Sequence, residues 1–359
     1  MGFASNNGDA TCLVICVNPC SSVAFRKTPF RRALIRWYRK NGRNLPWRDT
    51  RDPYAILVSE FMLQQTQVAT VLSYYYEWLH RFPDFAALAC APESSVLHAW
   101  QGLGYYARAR NLRAGAKLVI TQYRGRFPRD LAQISEFPGI GKYTAHAIAT
   151  FAFDQSVPIV EANTARVLTR LFNLQTPVDR TAGRDALWEL AAALVSKRVP
   201  RIYNSALTDL GALICLPRRP KCGICPVKKF CCAKKPETLP RKKARPQTVR
   251  LTESHAFLVQ PNRILLQQAH HRWRGMWILP PLQKRPVNQR PAYTSIFPFT
   301  NHRIVLNVYA RRTYKTDKHF DRWIKIQSLD SIPIPSPHRR ALRQLLTEMR
   351  AAPPCPHPL

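Results

Sequence analysis

Four cysteines crowd into residues 215–231, and their spacing constrains the fold more than any other feature of the chain. They are Cys215, Cys222, Cys225 and Cys231, separated by six, two and five residues. Such a dense set of thiols, in a chain without a secretory signal, is more typical of a metal site than of disulfides. One loop can offer four thiolates to a [4Fe–4S] cluster or to a zinc ion. A single Cys-x2-Cys pair favours the cluster, and zinc stays open as the alternative.

The residues before this loop show a helical repeat. From residue 31 to about residue 214, apolar side chains recur every three or four positions, which predicts amphipathic helices. One helix is expected to begin at Pro53 with Asp52 as its N-cap, and it carries Glu60 between apolar residues. Other helices are predicted at residues 67–80, 93–100, 107–123, 143–151, 163–172 and 184–195. We therefore expect an all-α domain here.

The chain changes character after the cysteine loop. Residues 233–250 are rich in Lys, Arg and Pro, which predicts a basic linker able to touch a phosphate backbone. Beyond it, strands are predicted at residues 256–259, 264–267 and 304–314, and a helix at residues 338–349. The fold class is thus multi-domain, an all-α domain with a metal loop followed by an α+β domain. We expect a disordered leader at 1–28, the helical domain at 29–232, the C-terminal domain at 251–350 and a disordered tail at 351–359.

The net charge points to a polyanionic partner. The chain has 55 Lys and Arg against 21 Asp and Glu, a formal net charge of +34. These basic residues are spread along the sequence, so we expect a basic folded surface that binds nucleic acid. No apolar run is long enough to cross a bilayer, and the apolar patch near the N-terminus lacks the preceding basic residues of a secretory signal. We therefore expect an intracellular, DNA-associated monomer without a membrane partner.

A glycine-containing turn between two predicted helices offers a site for such a polyanion. Pro138 precedes Gly139 and Gly141, and a helix is predicted just after them. Glycines let backbone N–H groups approach a phosphate, and a helix N-terminus favours negative charge. This pattern is typical of a helix-hairpin-helix DNA clamp, although an ordinary interhelical turn would look the same. Lys142, which follows the glycines, is a candidate phosphate contact.

Three further segments make the sequence resemble a known family. They are residues 45–48 (Leu-Pro-Trp-Arg), 58–68 (Val-Ser-Glu-Phe-Met-Leu-Gln-Gln-Thr-Gln-Val) and 100–111 (Trp-Gln-Gly-Leu-Gly-Tyr-Tyr-Ala-Arg-Ala-Arg-Asn). With the cysteine loop, they resemble the adenine DNA glycosylase (MutY) branch of the endonuclease III superfamily. The resemblance implies a helix-hairpin-helix glycosylase domain with an iron–sulfur loop, and a Nudix-like C-terminal domain that recognises damage. It also implies a monofunctional enzyme that removes adenine mispaired with 8-oxoguanine or guanine from double-stranded DNA, which initiates base excision repair.

The resemblance assigns the chemistry to four residues. Glu60, on an apolar helix face where burial should raise its pKa, would protonate the departing adenine. Glu161 stands where the family generally has an aspartate that stabilises the sugar cation, and its extra methylene is a shift of about 1 Å. Asn163 matches an asparagine that positions this chemistry. Tyr143 occupies the lysine position of bifunctional relatives, and a tyrosine cannot form a Schiff base, so hydrolysis without lyase chemistry is expected.

The same resemblance assigns residues that would hold the DNA. Gln65 would be the wedge, and Tyr105 the aromatic that fills the vacated stack. The other matched positions are Trp47, Arg48 and Glu189 around the adenine pocket, Asp209 as a helix cap near the DNA backbone, and Phe299, Thr300 and Asn301 in the loop that reads 8-oxoguanine.

Departures from the family pattern keep other functions open. No glutamate occurs between Glu253 and Glu348, so magnesium-dependent Nudix hydrolysis is excluded. Asn301 stands where a histidine is usual, and Glu161 replaces the usual aspartate. These two substitutions leave two alternatives, a catalytically weak mismatch-binding protein and a glycosylase of altered base specificity.

Overall fold

The computed structural model describes residues 26–244, 246–286, 288–317 and 319–351. The predicted leader lies outside the described residues as far as residue 25, and so does the predicted tail from residue 352. The first helix already begins at Lys27, inside the predicted leader.

Helices fill the described chain up to the cysteine loop, as the apolar repeat predicts, and one more follows the last strand. They are α1 (Lys27–Asn41), α2 (Pro46–Asp49), α3 (Pro53–Leu63), α4 (Val68–Arg81), α5 (Phe85–Cys90), α6 (Glu93–Ala99), α7 (Ala107–Gln122), α8 (Leu131–Ser135), α9 (Lys142–Phe153), α10 (Ala162–Leu171), α11 (Thr181–Leu194), α12 (Pro200–Leu213) and α13 (Ser336–Ala351). Asp52 begins α3 as predicted, since its carboxylate accepts hydrogen bonds from the amides of Tyr54 and Ala55 at 3.0 and 3.2 Å. Among the described helices, none has the length and the apolar character needed to span a bilayer.

The contacts divide the chain into two compact units. The first unit contains the described residues up to 57 and residues 128–244, and its core lies among α1, α10, α11 and α12. Phe30 and Leu34 of α1 pack with Leu168 of α10 and with Leu207 and Leu210 of α12, all at most 1% exposed. Each such side chain contributes about 1.5–3 kcal/mol of transfer free energy. This core fixes α10 against α12 and so holds the residues at the start of α10.

Two thirds of the predicted linker, residues 233–244, belong to the first unit. Leu239 is only 2% exposed, and Arg170 donates a hydrogen bond to its carbonyl at 3.1 Å. The amide of Lys243 donates to both carboxylate oxygens of Asp179, at 3.0 and 2.9 Å. Residues 233–244 are therefore attached to the first unit at these two points, although most of their side chains are exposed.

The second unit contains residues 58–127 and the described residues after 245. The two units do not coincide with the domains expected from the sequence, at 29–232 and 251–350. Those domain limits stay predictions. In the helical part, α5 packs along α7. Trp78 of α4 meets Trp100 edge-on with ring centroids 5.2 Å apart, a contact worth about 0.5–1.5 kcal/mol beyond the area that it buries.

Two small sheets and α13 form the rest of the second unit. The strands are β1 (Val249–Phe257), β2 (Val259–Gln260), β3 (Arg263–Gln268), β4 (Trp277–Ile278), β5 (Tyr293–Phe299), β6 (His302–Ala310) and β7 (Asp321–Lys325). In one sheet β6 lies between β1, which is parallel to it, and β5, which is antiparallel. In the other sheet β3 pairs antiparallel with β2, β4 and β7. The expected α+β region is present, but β6 ends at Ala310 and not near residue 314, and the next two residues are exposed arginines.

Candidate active site and cysteine loop

The predicted helix-hairpin-helix turn lies between α8 and α9 of the first unit. Phe137 and Ile140 are buried and fix the turn, while Gly139 and Gly141 are exposed. Gly139 has a φ of 76°, a backbone conformation that favours glycine. Gly141 is the N-cap of α9, and the half-buried Tyr143 is the second residue of that helix. The turn therefore leaves backbone N–H groups accessible at a helix N-terminus, an arrangement that attracts phosphate.

Lys142 begins α9 beside this turn and is exposed. Its Nζ lies 4.3 Å from the centre of the Trp188 ring on α11, and His146 meets the same ring edge-on at 4.9 Å. Burial lowers the pKa of His146, and the charge of Lys142 lowers it further. Glu189, next to Trp188, is exposed as well. The Lys142 ammonium thus makes a cation–π contact with Trp188 and stays accessible from solvent.

Glu161 is the N-cap of α10 and turns its carboxylate onto that helix. Oε2 accepts from the amide of Asn163 at 2.7 Å, and Oε1 accepts from the amide of Thr164 at 2.9 Å. The Thr164 hydroxyl accepts from the amide of Glu161 at 2.7 Å, which completes a capping box. Burial raises the pKa of Glu161, and the two amide hydrogen bonds oppose that shift. The Glu161 carboxylate is therefore folded back onto the N-terminus of α10.

Asn163 is held by Arg166, which lies one turn further along α10. Nη2 of Arg166 donates to Oδ1 of Asn163 at 2.8 Å and to the Gly211 carbonyl at 2.7 Å. Nε of the same guanidinium donates to the Cys215 carbonyl at 2.7 Å. A Cβ on Gly211 would lie 2.6 Å from the Cβ of Asn163, so glycine is needed for α12 to approach α10 this closely. Arg166 thus links the predicted catalytic asparagine with the first cysteine of the loop.

A second arginine of α10 binds the cysteine loop directly. Arg170 is 1% exposed and donates from Nη1 to Cys215 Sγ at 3.3 Å and to the Leu216 carbonyl at 2.7 Å. The Cys231 thiol donates to the Arg170 carbonyl at 3.4 Å. The loop is therefore anchored on α10 through both its first and its last cysteine.

The four thiols lie close enough to influence one another. Burial raises the pKa of Cys225 to about 11, and the other three thiols raise it as well. Burial is also the main cause that raises the pKa of Cys231. A metal would displace these protons, because the thiolate is the ligand. Within the described ranges, no group of three or more His, Cys, Asp or Glu side chains is arranged to hold a single metal ion. Four coupled thiols on one short loop nevertheless have the donor chemistry that an iron–sulfur cluster requires.

Asp209 lies inside α12 and not at its end, which corrects its predicted role as a helix cap. Its fully buried carboxylate accepts from Nη1 and Nη2 of Arg48 and from the backbone N and Nε of Arg43, each at 2.8 Å. Burial alone would raise the pKa of Asp209, but hydrogen bonds and charge from Arg48 and Arg43 hold it below its ordinary value. Asp209 therefore orients arginines, because its charge is directed inward and is inaccessible to a ligand.

The predicted pocket residues Trp47 and Arg48 are held within the first unit. Trp47 is 7% exposed on the short helix α2. The Arg48 guanidinium lies 5.6 Å from the centre of the Tyr38 ring, and Arg201 donates to the Arg48 carbonyl. The desolvation of Arg48 is outweighed by Asp209, so the pKa of Arg48 is raised. This arginine is a fixed cation at the end of α2.

Glu60 lies in the last turn of α3 and is buried, at 4% exposed. It is the single acidic residue of this helix. Val58, Phe61 and Met62 beside it are at most 1% exposed. The Glu60 side chain is thus buried, as the sequence predicted.

Gln65 and Tyr105, the predicted wedge and intercalating residue, are both exposed and both have left-handed backbone. Their φ values are 58° and 47°, and Tyr105 is 46% exposed. Such a conformation costs a residue other than glycine about 1–3 kcal/mol and persists only where the surroundings hold it. Gly102 and Gly104, just before Tyr105, also have positive φ values of 104° and 71°. Gln65 and Tyr105 thus combine a left-handed backbone with a solvent-exposed side chain.

The turn between β5 and β6 carries the predicted base-reading residues. Thr300 and Asn301 are exposed, and Thr300 has a φ of 53°. The Thr300 hydroxyl donates to the Phe299 carbonyl at 2.7 Å and lies 3.3 Å from Oδ1 of Asn301. Arg272 covers Phe299, with its guanidinium 4.6 Å from the ring centre, and Glu253 binds Arg272 at 2.8 Å. The turn presents a hydroxyl and an amide to solvent.

Comparison with known proteins matches two segments of the chain. Residues 58–192 match the HhH-GPD superfamily of base excision DNA repair proteins. Residues 215–231 match the iron–sulfur binding domain of endonuclease III. The first segment includes the glycine turn and Glu60, and the second contains the four cysteines.

Several relatives share this similarity. Adenine DNA glycosylases of Mus musculus and Homo sapiens are each 43% identical over 213 and 216 residues, which cover 57% and 58% of this chain. An adenine DNA glycosylase of Buchnera aphidicola (subsp. Schizaphis graminum) is 28% identical over 338 residues, 87% of this chain and 97% of that relative. The solved structure of a thermostable thymine-DNA glycosylase is 34% identical with a TM-score of 0.53, covering 57% of this chain and 95% of its own. The match spans only 41% and 40% of the length of the mouse and human relatives.

Proposed function

Because this chain belongs to the HhH-GPD superfamily of base excision DNA repair proteins, in which its curated relatives are adenine DNA glycosylases, we propose that it is a monofunctional adenine DNA glycosylase. It would bind duplex DNA, extrude an adenine mispaired with 8-oxoguanine or guanine, and hydrolyse the N-glycosidic bond. One observation carries the proposal. Glu60 is a buried carboxyl in the last turn of α3, and the turn that follows this helix contains Gln65, which is exposed and has a left-handed backbone. A proton donor and a wedge are thus built on adjacent backbone.

The bond breaks when the adenine gains a proton and the positive charge left on the sugar is stabilised. Glu60 donates the proton to the base, and its ionised form then activates the attacking water. Glu161 supplies negative charge for the sugar cation. Asn163, whose side chain is fixed by Arg166, orients the groups around that carboxylate.

Tyr143 makes the reaction a hydrolysis without strand cleavage. A lyase needs an amine at this position to form a Schiff base with the sugar, and a phenol cannot supply one. Lys142, the adjacent amine, lies over the Trp188 ring and is assigned to phosphate contact. The product is therefore an abasic site in an intact strand.

DNA binding is supported by the exposed glycine turn and by the charge of the chain. Phosphate would bind the N–H groups after Gly139 and Gly141, with Lys142 beside them. Gln65 enters the base stack as a wedge, and Tyr105 stacks in the space that the adenine leaves. Trp47, Arg48 and Glu189 line the pocket for the extruded base, and Asp209 contributes by holding Arg48.

The cofactor is a [4Fe–4S] cluster held by Cys215, Cys222, Cys225 and Cys231, with zinc as the alternative. When bound, it would close the loop; hydrolysis of the N-glycosidic bond changes no oxidation state and needs no redox step. The closed loop presents Lys221, Lys228 and Lys229, all beside its cysteines, to phosphate. Iron and sulfide analysis with a visible absorption spectrum distinguishes the cluster from zinc.

The C-terminal α+β region is proposed to be Nudix-like and to read the base opposite the adenine. Thr300 and Asn301 are the exposed polar side chains of its turn, and the covered Phe299 supports them. An amide carries both a donor and an acceptor, so Asn301 can hydrogen-bond the edge of an oxidised guanine as a histidine would.

A second candidate function is a catalytically weak mismatch-binding protein. It is favoured by Glu161, because both of its carboxylate oxygens accept hydrogen bonds from the amides of α10. A single-turnover assay on duplexes with adenine opposite 8-oxoguanine separates the candidates. Adenine release supports the glycosylase, and binding without release supports the second function. Release of a different base would indicate altered base specificity.

A further inference from the structure

One buried arginine of the second unit binds the backbone beside both Gln65 and Tyr105, the two left-handed residues proposed to enter the base stack. Arg108 lies in the first turn of α7 and is 7% exposed. Its Nη1 donates to the carbonyls of Phe61, Met62 and Gln64, at 2.7, 3.0 and 2.6 Å. Its Nη2 donates to the carbonyls of Leu103 and Gly104, at 2.8 and 3.1 Å. The guanidinium therefore binds the backbone just before Gln65 and just before Tyr105.

The chemistry of these contacts suits arginine and no other side chain. A guanidinium presents several donors in a rigid plane, so it can bind two backbone segments at once in a fixed geometry. Phe61 and Met62 lie in the last turn of α3, where carbonyls lack helical partners and a cation is favoured. Burial lowers the pKa of Arg108 to about 10, which leaves it charged at neutral pH. The same cation therefore caps the helix that carries Glu60.

Arg108 also borders the aromatic side chains of the second turn. Its guanidinium carbon lies 5.8 Å from the centre of the Tyr105 ring and 5.3 Å from that of Trp100. Trp100 is fully buried, whereas Tyr105 is 46% exposed. Arg108 thus lies between the core of the unit and the exposed ring, and it is too buried to touch a ligand itself.

We propose that Arg108 is a positioning residue that fixes the distance between the Gln65 wedge and the Tyr105 ring before DNA binds. The inference rests on the proposed function, in which those two side chains enter the base stack. Without the guanidinium, each turn loses the hydrogen bonds that hold its left-handed residue, and the two side chains no longer reach the stack together. Phosphate contacts elsewhere are unaffected, because Arg108 takes no part in them.

The test compares three variants of the full chain. Arg108→Met removes the donors and keeps the length, and Arg108→Lys keeps the charge but offers a point donor in place of a planar fork. Arg113→Met is the matched control, because Arg113 lies on the same helix and donates to a single carbonyl, that of Ala91, at 2.7 Å. Thermal unfolding establishes that each variant is folded.

Base-stack opening is measured separately from chemistry. A duplex carries 2-aminopurine beside a 2′-fluoro-deoxyadenosine opposite 8-oxoguanine, so the fluorescence rises on unstacking while cleavage is suppressed. Adenine release is followed on the ordinary substrate with enzyme in excess, and the Kd for undamaged duplex is recorded. If the wild-type chain opens the stack but releases no adenine, the proposed function fails while the comparison of variants stays valid.

The expected result is loss of the fluorescence rise and a release rate lowered about 100-fold in Arg108→Met, with the wild-type Kd for undamaged duplex. Arg108→Lys should be intermediate, and Arg113→Met should match the wild type. Wild-type fluorescence in a folded Arg108→Met would overturn the proposal. If Arg108→Met does not fold, Arg108→Lys decides by the same readouts. Unfolding of both variants would show that Arg108 serves stability and not the turns, which also overturns it.

Discussion

Oδ1 of Asn163 lies 2.8 Å from Nη2 of Arg166, and the same guanidinium donates from Nε to the Cys215 carbonyl at 2.7 Å. One side chain thus joins the start of α10 to the first cysteine of the metal loop. Arg170, one turn further, reaches the Cys215 sulfur itself at 3.3 Å. Both arginines contact Cys215, but their contacts are divided: Arg166 binds the side chain of Asn163 and the backbone of the loop, whereas Arg170 binds a cysteine sulfur.

Arg166→Met should lower the single-turnover rate of adenine release by about 100-fold, because the Asn163 side chain loses its fixed position. The iron content should fall less in Arg166→Met than in Arg170→Met, because the Arg170 side chain contacts the sulfur of Cys215, a predicted ligand. Rates and iron content are measured on the same preparations of both variants. Equal effects of the two substitutions on both quantities would contradict this division.

Glu161→Asp should release adenine faster than the wild type, by up to about 100-fold, since aspartate is a favoured N-cap and restores the usual length. Glu161→Gln, which keeps the size and loses the charge, is the control and should be inactive. Single-turnover rates at saturating enzyme make the comparison. A slower Glu161→Asp variant would mean that the glutamate is adapted to this site.

Asp209→Asn should lower the free energy of unfolding by about 3–5 kcal/mol at neutral pH, because it leaves the Arg48 and Arg43 charges without their buried partner. The pKa of Asp209 is held below its ordinary value, so its stabilisation is present above the unfolded-state pKa of about 3.9. It is lost as the pH falls through the lowered folded-state pKa. Urea unfolding from pH 7 to pH 3 should therefore show a steeper loss in the wild type than in the variant, and parallel curves would refute the assignment.

Cys225→Ser should abolish bound iron and sulfide, because it removes one of the four predicted ligands. Cys232→Ser is the matched control, since Cys232 adjoins the last predicted ligand and is not one itself. Metal analysis and the visible absorption spectrum are recorded for both proteins. Retention of iron in Cys225→Ser, or its loss in Cys232→Ser, would mean that the ligand set is different.

Structural features that depend on residues close together in the sequence could be predicted. The cysteine loop, the Gly139–Gly141 turn and the burial of Glu60 each follow from residues within one or two turns of one another. The sequence shows that Glu161 departs from the family pattern. It does not show that the carboxylate turns back onto the N-terminus of α10, because that position depends on the local backbone.

The arginine contacts could not be predicted, because their partners are far away in sequence. Arg108 binds the Phe61 carbonyl across 47 positions, Arg166 binds Gly211 across 45, and Asp209 binds Arg43 across 166. One signal was present for Arg108, since it shares a helix face with the buried Leu112 and Val119. A cation on the apolar stripe of a helix indicates a buried function, although it does not say which backbone it binds.

The measurement that tests the central claim most directly is single-turnover release of adenine, opposite 8-oxoguanine in a duplex, by the wild-type chain and by Glu60→Gln. The amide keeps the size of Glu60 and removes its proton-donating carboxyl. We predict that the wild type releases free adenine and leaves the strand uncut until alkali is added, whereas Glu60→Gln binds the duplex and releases nothing. Adenine release by Glu60→Gln at the wild-type rate, or no release by the wild type, would contradict the account.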